Sequence, residues 1–90
     1  MFPKVLDGAI VLYYTSYDDF GEIYWDTGEI AYYVKYLAIC KYPNANNEFY
    51  LFMCDDQYEV VGDPLWERLE ICMDASNSFH GDDILWIKNE

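Results

Sequence analysis

The segment from Glu29 to Tyr42 restricts the folds open to this chain more than any other stretch. Ile30, Tyr32, Val34, Tyr36, Ala38 and Cys40 share one parity, and Ala31, Tyr33, Leu37 and Ile39 share the other. Successive side chains of a strand point to opposite faces, so a strand with this sequence is apolar on both sides, interrupted on the second by Lys35 and Lys41. It belongs in the centre of a sheet that is covered, at least partly, on two faces.

The flanking sequence supplies neighbours for it. Ala9 to Thr15 is a β-branched and aromatic run between Gly8 and the polar segment Ser16, Tyr17, Asp18, Asp19. Glu22 to Trp25 runs into Asp26-Thr27-Gly28, where glycine can take the positive φ that closes a hairpin. After the loop Pro43 to Asn47, Phe49 to Cys54 reads as a strand, and Asp55-Asp56-Gln57 separates it from another at Tyr58 to Val61. Consecutive hairpins of this kind predict a meander. One helix is marked by Asp63 at the N-cap, Pro64 at the first helical position and Glu67 in the opening turns. At 100° per residue Leu65, Trp66, Leu69, Cys72 and Met73 fall on one side and Glu67, Glu70 and Asp74 on the other. Ser76, Asn77 and Ser78 end it, Gly81-Asp82-Asp83 forms a turn, and Ile84 to Ile87 is a short last strand. The expected fold is α+β: an antiparallel β-sheet of about five or six strands with one C-terminal α-helix packed on one face. Residues 1–90 suffice for a single domain.

Charge carries the functional argument. Seventeen acids stand against five bases, a net charge of −12, yet 53% of the residues are hydrophobic and ten are tyrosines. That much apolar area offsets the entropy of ordering, so the chain folds despite its charge. Solubility of a small domain asks for a net charge of only about 2–8 in magnitude. The excess points to a basic partner. It argues against direct nucleic-acid binding, because phosphate contacts need Lys or Arg and the acids repel the backbone. No run approaches the ~20 apolar residues of a membrane span, and Met1 to Asp7 lacks the apolar stretch of a signal peptide. The expectation is a cytoplasmic protein that does not enter a membrane.

Groups able to do chemistry are sparse. Cys40, Cys54 and Cys72 are widely spaced and odd in number, which reads as buried free thiols rather than disulfides or a zinc site. Acidic neighbours would suppress the thiolate of Cys54. His80 has Asp82 and Asp83 nearby as partners for general-base work, but a lone loop histidine is ordinarily a surface residue. The glycines form no phosphate-binding pattern, and the pairs Asp18-Asp19, Asp55-Asp56 and Asp82-Asp83 lack the alternating ligands of a calcium loop. The expectation is therefore no enzyme, no cofactor and no metal. The candidate partner-binding residues are Glu67, Glu70, Ile71 and Asp74 on the helix, with Asp18, Asp19, Asp55, Asp56 and Tyr58 in the turns. Ile71 would be an apolar anchor rimmed by acids, and Tyr17, Tyr42 and Tyr58 lie at strand ends, where a ring adds contact area and a hydroxyl. The other strand tyrosines, among them Tyr32 and Tyr33, are expected to be core or half-buried.

The strand-turn-strand-helix segment from Tyr50 to Ala75, YLFMCDDQYEVVGDPLWERLEICMDA, resembles small acidic bacterial proteins of the toxin-immunity kind, including those of contact-dependent inhibition systems. The resemblance covers about a third of the chain. It implies an immunity protein that neutralises a cognate basic toxin domain, a nuclease for preference, through a carboxylate-rich surface. The alternative is a phage-type nucleic-acid mimic that blocks a restriction, repair or CRISPR protein, for which carboxylates spaced along a helix or strand would imitate a row of phosphates.

Overall fold

The computed structural model describes residues 2–80 and 84–89. Its elements are β1 (Val5–Leu6), β2 (Ala9–Tyr14), β3 (Glu22–Tyr24), β4 (Ile30–Tyr33), β5 (Tyr36–Lys41), β6 (Phe49–Cys54), β7 (Val60–Gly62), β8 (Leu65–Trp66), α1 (Leu69–His80) and β9 (Ile87–Lys88). Seven strands form one antiparallel sheet along the path β1-β2-β5-β6-β7, with β9 joining β2 and β8 joining β6. The single helix packs against it, chiefly over β6 and β8, so the fold is α+β as expected.

Strand β5 is the central strand that its sequence predicts. It pairs with β2 on one side and β6 on the other, and Leu37, Ala38, Ile39 and Cys40 are all buried. Alternation divides them between two layers. Leu37 and Ile39 join Val34, Leu51 and Cys72 on the helix side, with Leu69, Met73, Trp66 and Trp86 packed around them. Ala38 and Cys40 join Phe2, Leu6, Ala9, Val11, Phe52 and Cys54 on the opposite side, where half-buried tyrosines supply the cover in place of a second helix. Each large apolar side chain so buried contributes about 1.5–3 kcal/mol. A bulge in β2 serves both layers: Val11 opposes Cys40 and Tyr13 opposes Ile39, so the extra residue Leu12 turns Tyr13 to the helix side. The Leu12 carbonyl then accepts a hydrogen bond from the Asn89 N–H, which ties the C-terminal segment to β2.

Four sequence expectations need correction. The run Glu29 to Tyr42 is two strands, because Val34 and Lys35 leave the ladder. The Val34 N–H bonds to the Gly21 carbonyl, and Lys35 receives the Asp18 N–H while donating its own to Cys54. Strands β3 and β4 consequently form a separate two-stranded sheet, the tip of a long hairpin whose base is β2 and β5. The helix begins at Leu69, not at Asp63-Pro64. The Pro64 carbonyl accepts from the Leu51 N–H, and Leu65 and Trp66 pair with Tyr50 and Phe49, so residues 63–66 extend the sheet edge. At its other end the helix passes through Ser76-Asn77-Ser78 to His80, and the Ser76 and Ser78 hydroxyls are satisfied within it by donating to the carbonyls of Cys72 and Asp74 four residues back. The last strand is Ile87–Lys88 rather than Ile84 to Ile87. The expected turn Gly81-Asp82-Asp83 lies outside the described residues.

Candidate partner-binding site

Fixed turns hold the acidic pairs in place. In the β6–β7 connection the Asp55 carboxylate accepts the N–H groups of Gln57 and Glu59 at 2.9 and 3.0 Å, while Asp55 and Glu59 pair through their backbones. Tyr58 takes a left-handed φ of 63° to complete the turn. Across the sheet, the Asp18 carboxylate accepts from Asp19 N–H and the Asp19 carboxylate from Gly21 N–H.

These two turns lie on either side of Lys35. Its carbonyl accepts from Asp18 and its N–H donates to Cys54, which places Asp18-Asp19 on one flank and Asp55-Asp56 on the other. The Lys35 ammonium lies 3.9 Å from the Asp19 carboxylate and 5.8 and 5.7 Å from the ring centres of Tyr17 and Tyr33. Its side chain is 24% exposed. Four carboxylates against one ammonium leave this surface strongly negative. Beside Lys35 a cavity of about 270 Å³ is lined by Ala31, Tyr32, Tyr33, Asp55 and Asp56.

The β3–β4 hairpin supplies one wall of the cavity through Ala31, Tyr32 and Tyr33 of β4. Tyr24, Trp25, Ile30, Tyr32 and Tyr33 on it are each between 40% and 56% exposed, and the rings of Trp25 and Tyr32 meet at 5.9 Å. Exposed Glu22, Asp26 and Glu29 lie among them. Tyr32 and Tyr33 are adjacent in β4 and face opposite sides, so the hairpin carries exposed aromatic surface on both faces, set among acids in the manner of an interface. Sequence reasoning missed this surface, and it placed Tyr32 and Tyr33 in or near the core. The alternating run around them has the pattern of a buried strand, whereas their exposure follows from the hairpin having no third strand to cover it.

The remaining candidates are dispersed. Glu70 and Asp74 are exposed on α1 with Ile71 between them, and Glu70 pairs with Arg68 at 3.3 Å. Glu67 precedes the helix, so the expected three-carboxylate stripe is reduced to two helical members. Tyr58 is half-buried, stacked on Tyr36 with ring centres 4.7 Å apart and edge-on to Phe2 at 5.2 Å. Its ring is part of the tyrosine layer. Tyr42 is likewise packed edge-on against Tyr50, while Tyr17 is exposed.

Buried chemistry is muted here. All three cysteines are free and buried. Burial pushes the Cys54 and Cys72 thiols up to about 12, with the carboxylates of Asp55 and Asp7 adding to the effect at Cys54, and Cys40 moves further the same way. Near neutral pH these thiols stay protonated and are poor nucleophiles. His80 Nδ1 lies 2.8 Å from the Phe20 carbonyl, to which it donates, joining the end of α1 to the segment leading into β3. Its expected partners Asp82 and Asp83 lie outside the described residues. No described helix is long and apolar enough to cross a membrane. Comparison with protein-family models, curated proteins and solved structures finds no match to this chain.

Proposed function

We propose that the protein is a stoichiometric inhibitor that acts by binding rather than catalysis: an immunity protein that neutralises a basic toxin, a nuclease for preference, in the cytoplasm. The observation that carries this reading is the negative surface around Lys35, which adjoins the exposed aromatic residues of the β3–β4 hairpin. Carboxylates speed encounter with a basic protein, while aromatic area slows its departure. A mimic of a nucleic-acid backbone calls for a long row of evenly spaced charges, and the interruption of the helical stripe before Leu69 weakens that alternative.

The experiment is affinity capture from the native host at low ionic strength, elution with salt, and titration of the eluted basic protein with this chain. One-to-one inhibition of a single toxin, with close relatives of the toxin unaffected, is the expected result. Inhibition of several unrelated nucleic-acid enzymes would assign the chain to the mimics. Recovery of no basic protein would overturn the inhibitor reading altogether.

A further inference from the structure

We propose that the cavity between Lys35, Tyr32, Tyr33, Asp55 and Asp56 is a subsite for one arginine side chain of the basic partner. The proposal rests on the inhibitor reading for the arginine's source, but the cavity's chemistry can be tested without any partner.

Its size comes first. Pockets for drug-sized ligands occupy about 300–1,000 Å³, and about 270 Å³ is below that range and suited to a single side chain. Its lining comes next. Carboxylates alone would hold any cation loosely in water, but here they stand beside the Tyr33 ring. The chain's own Lys35 already demonstrates the mode of binding: its ammonium rests near the Tyr17 and Tyr33 rings and reaches the Asp19 carboxylate. Lys35 uses the Asp18-Asp19 flank, which leaves Asp55 and Asp56 facing the cavity on the other side. The Asp55 carboxylate is held still by the N–H groups of Gln57 and Glu59, so little freedom is lost when a cation docks. Asp56 is exposed at the rim.

Arginine fits this lining better than lysine. Its guanidinium is planar, stacks on an aromatic face, pairs with a carboxylate through two parallel N–H bonds, and is more weakly hydrated than an ammonium. The partner's guanidinium lies against the Tyr33 ring and donates to Asp56, with the Asp55 charge beside it.

The test uses a blocked Gly-Arg-Gly peptide titrated into isotopically labelled protein and followed by NMR at low salt, with the citrulline peptide as a neutral isostere. Saturable shifts confined to the amides of Ala31 to Lys35 and Asp55 to Gln57 are expected for arginine, and none for citrulline. Asp56→Asn and Tyr33→Leu should each weaken binding roughly two- to fivefold, the size of one exposed cation–π or ion-pair contact, while leaving the remaining spectrum in place. Shifts spread evenly over all acidic surfaces, equal binding of citrulline, or unchanged affinity in both variants would each overturn the subsite. Such a failure is separable from that of the inhibitor reading, because a captured toxin whose affinity ignores these two substitutions removes the subsite and leaves the inhibitor intact.

Discussion

Tyr36 sits at the crossing of the tyrosine layer, stacked on Tyr58 and edge-on to both Phe2 and Tyr17. Its hydrogen bond to Tyr58, then burial, then the nearby charges including that of Asp56, push its phenol from the ordinary 10.0 up to about 12. The thiols of Cys54 and Cys72 move from 9.0 to about 12, and Cys40 moves in the same sense. Each of these groups holds its proton more tightly in the folded chain than in the unfolded one. Their contribution to stability is therefore fully present below the unfolded values of 9.0 and 10.0 and is lost as pH rises toward about 12. Urea midpoints should be level up to about pH 8 and fall steadily above about pH 9. Tyr36→Phe should be weaker at neutral pH, having lost the Tyr58 bond, but should show a shallower decline above about pH 10. An identical slope in that variant would mean that the stack does not hold the phenolic proton.

At the scale of elements, the β3–β4 hairpin is the part whose stability is most separable. A two-stranded sheet is marginal alone, and this one is anchored by Ile23 and Phe20 packing into the helix-side layer. Its turn closes through Trp25 N–H to Glu29 O at 2.8 Å and Gly28 N–H to Trp25 O at 2.9 Å, with Gly28 at φ 91°. A side chain in that conformation costs about 1–2 kcal/mol. Gly28→Ala should accordingly speed hydrogen exchange of the hairpin amides roughly 5–30-fold and leave those of β5 and β6 unchanged. Equal acceleration in β5 and β6 would show that the hairpin and the main sheet open as one unit. The same elements mark what the sequence makes legible. Strand β5 was readable because both of its parities are apolar, and the α+β class followed from the hairpins and one amphipathic helix. The division at Val34-Lys35 was not, because it depends on hydrogen bonds to Gly21, Asp18 and Cys54 that no local pattern announces. Asp63-Pro64 was ambiguous for a physical reason: a residue without an N–H suits both a helix start and a sheet edge, and here the Pro64 carbonyl serves Leu51. The acidic turns were visible one at a time. Their convergence on Lys35 arises from pairings between residues far apart in sequence, and so does the cavity.

For the molecule as a whole, charge acts in two opposite directions. Two ion pairs, Lys35–Asp19 and Arg68–Glu70, are formed among the described residues, and the carboxylate of each is largely exposed, so neither relieves much of the repulsion in a molecule whose net charge is −12. The molecule measures 36 × 26 × 26 Å. At about 0.01 M ionic strength the screening length is ~30 Å, so carboxylates on opposite sides still repel one another; at about 0.15 M it is ~8 Å and only neighbours do. Unfolding relieves this repulsion, which makes low salt destabilising. Raising sodium chloride across that range should therefore increase the melting temperature of the free protein. Association with a basic partner should respond in the reverse sense, its on-rate falling as the same salt screens the attraction. The two measurements belong together, because they separate the charge that burdens the fold from the charge that serves binding. Neutralising Asp56 and Asp19 together should raise stability at low salt and flatten the salt dependence of the on-rate. If stability improves but the on-rate keeps its full salt dependence, the surface around Lys35 is not where a basic partner is met.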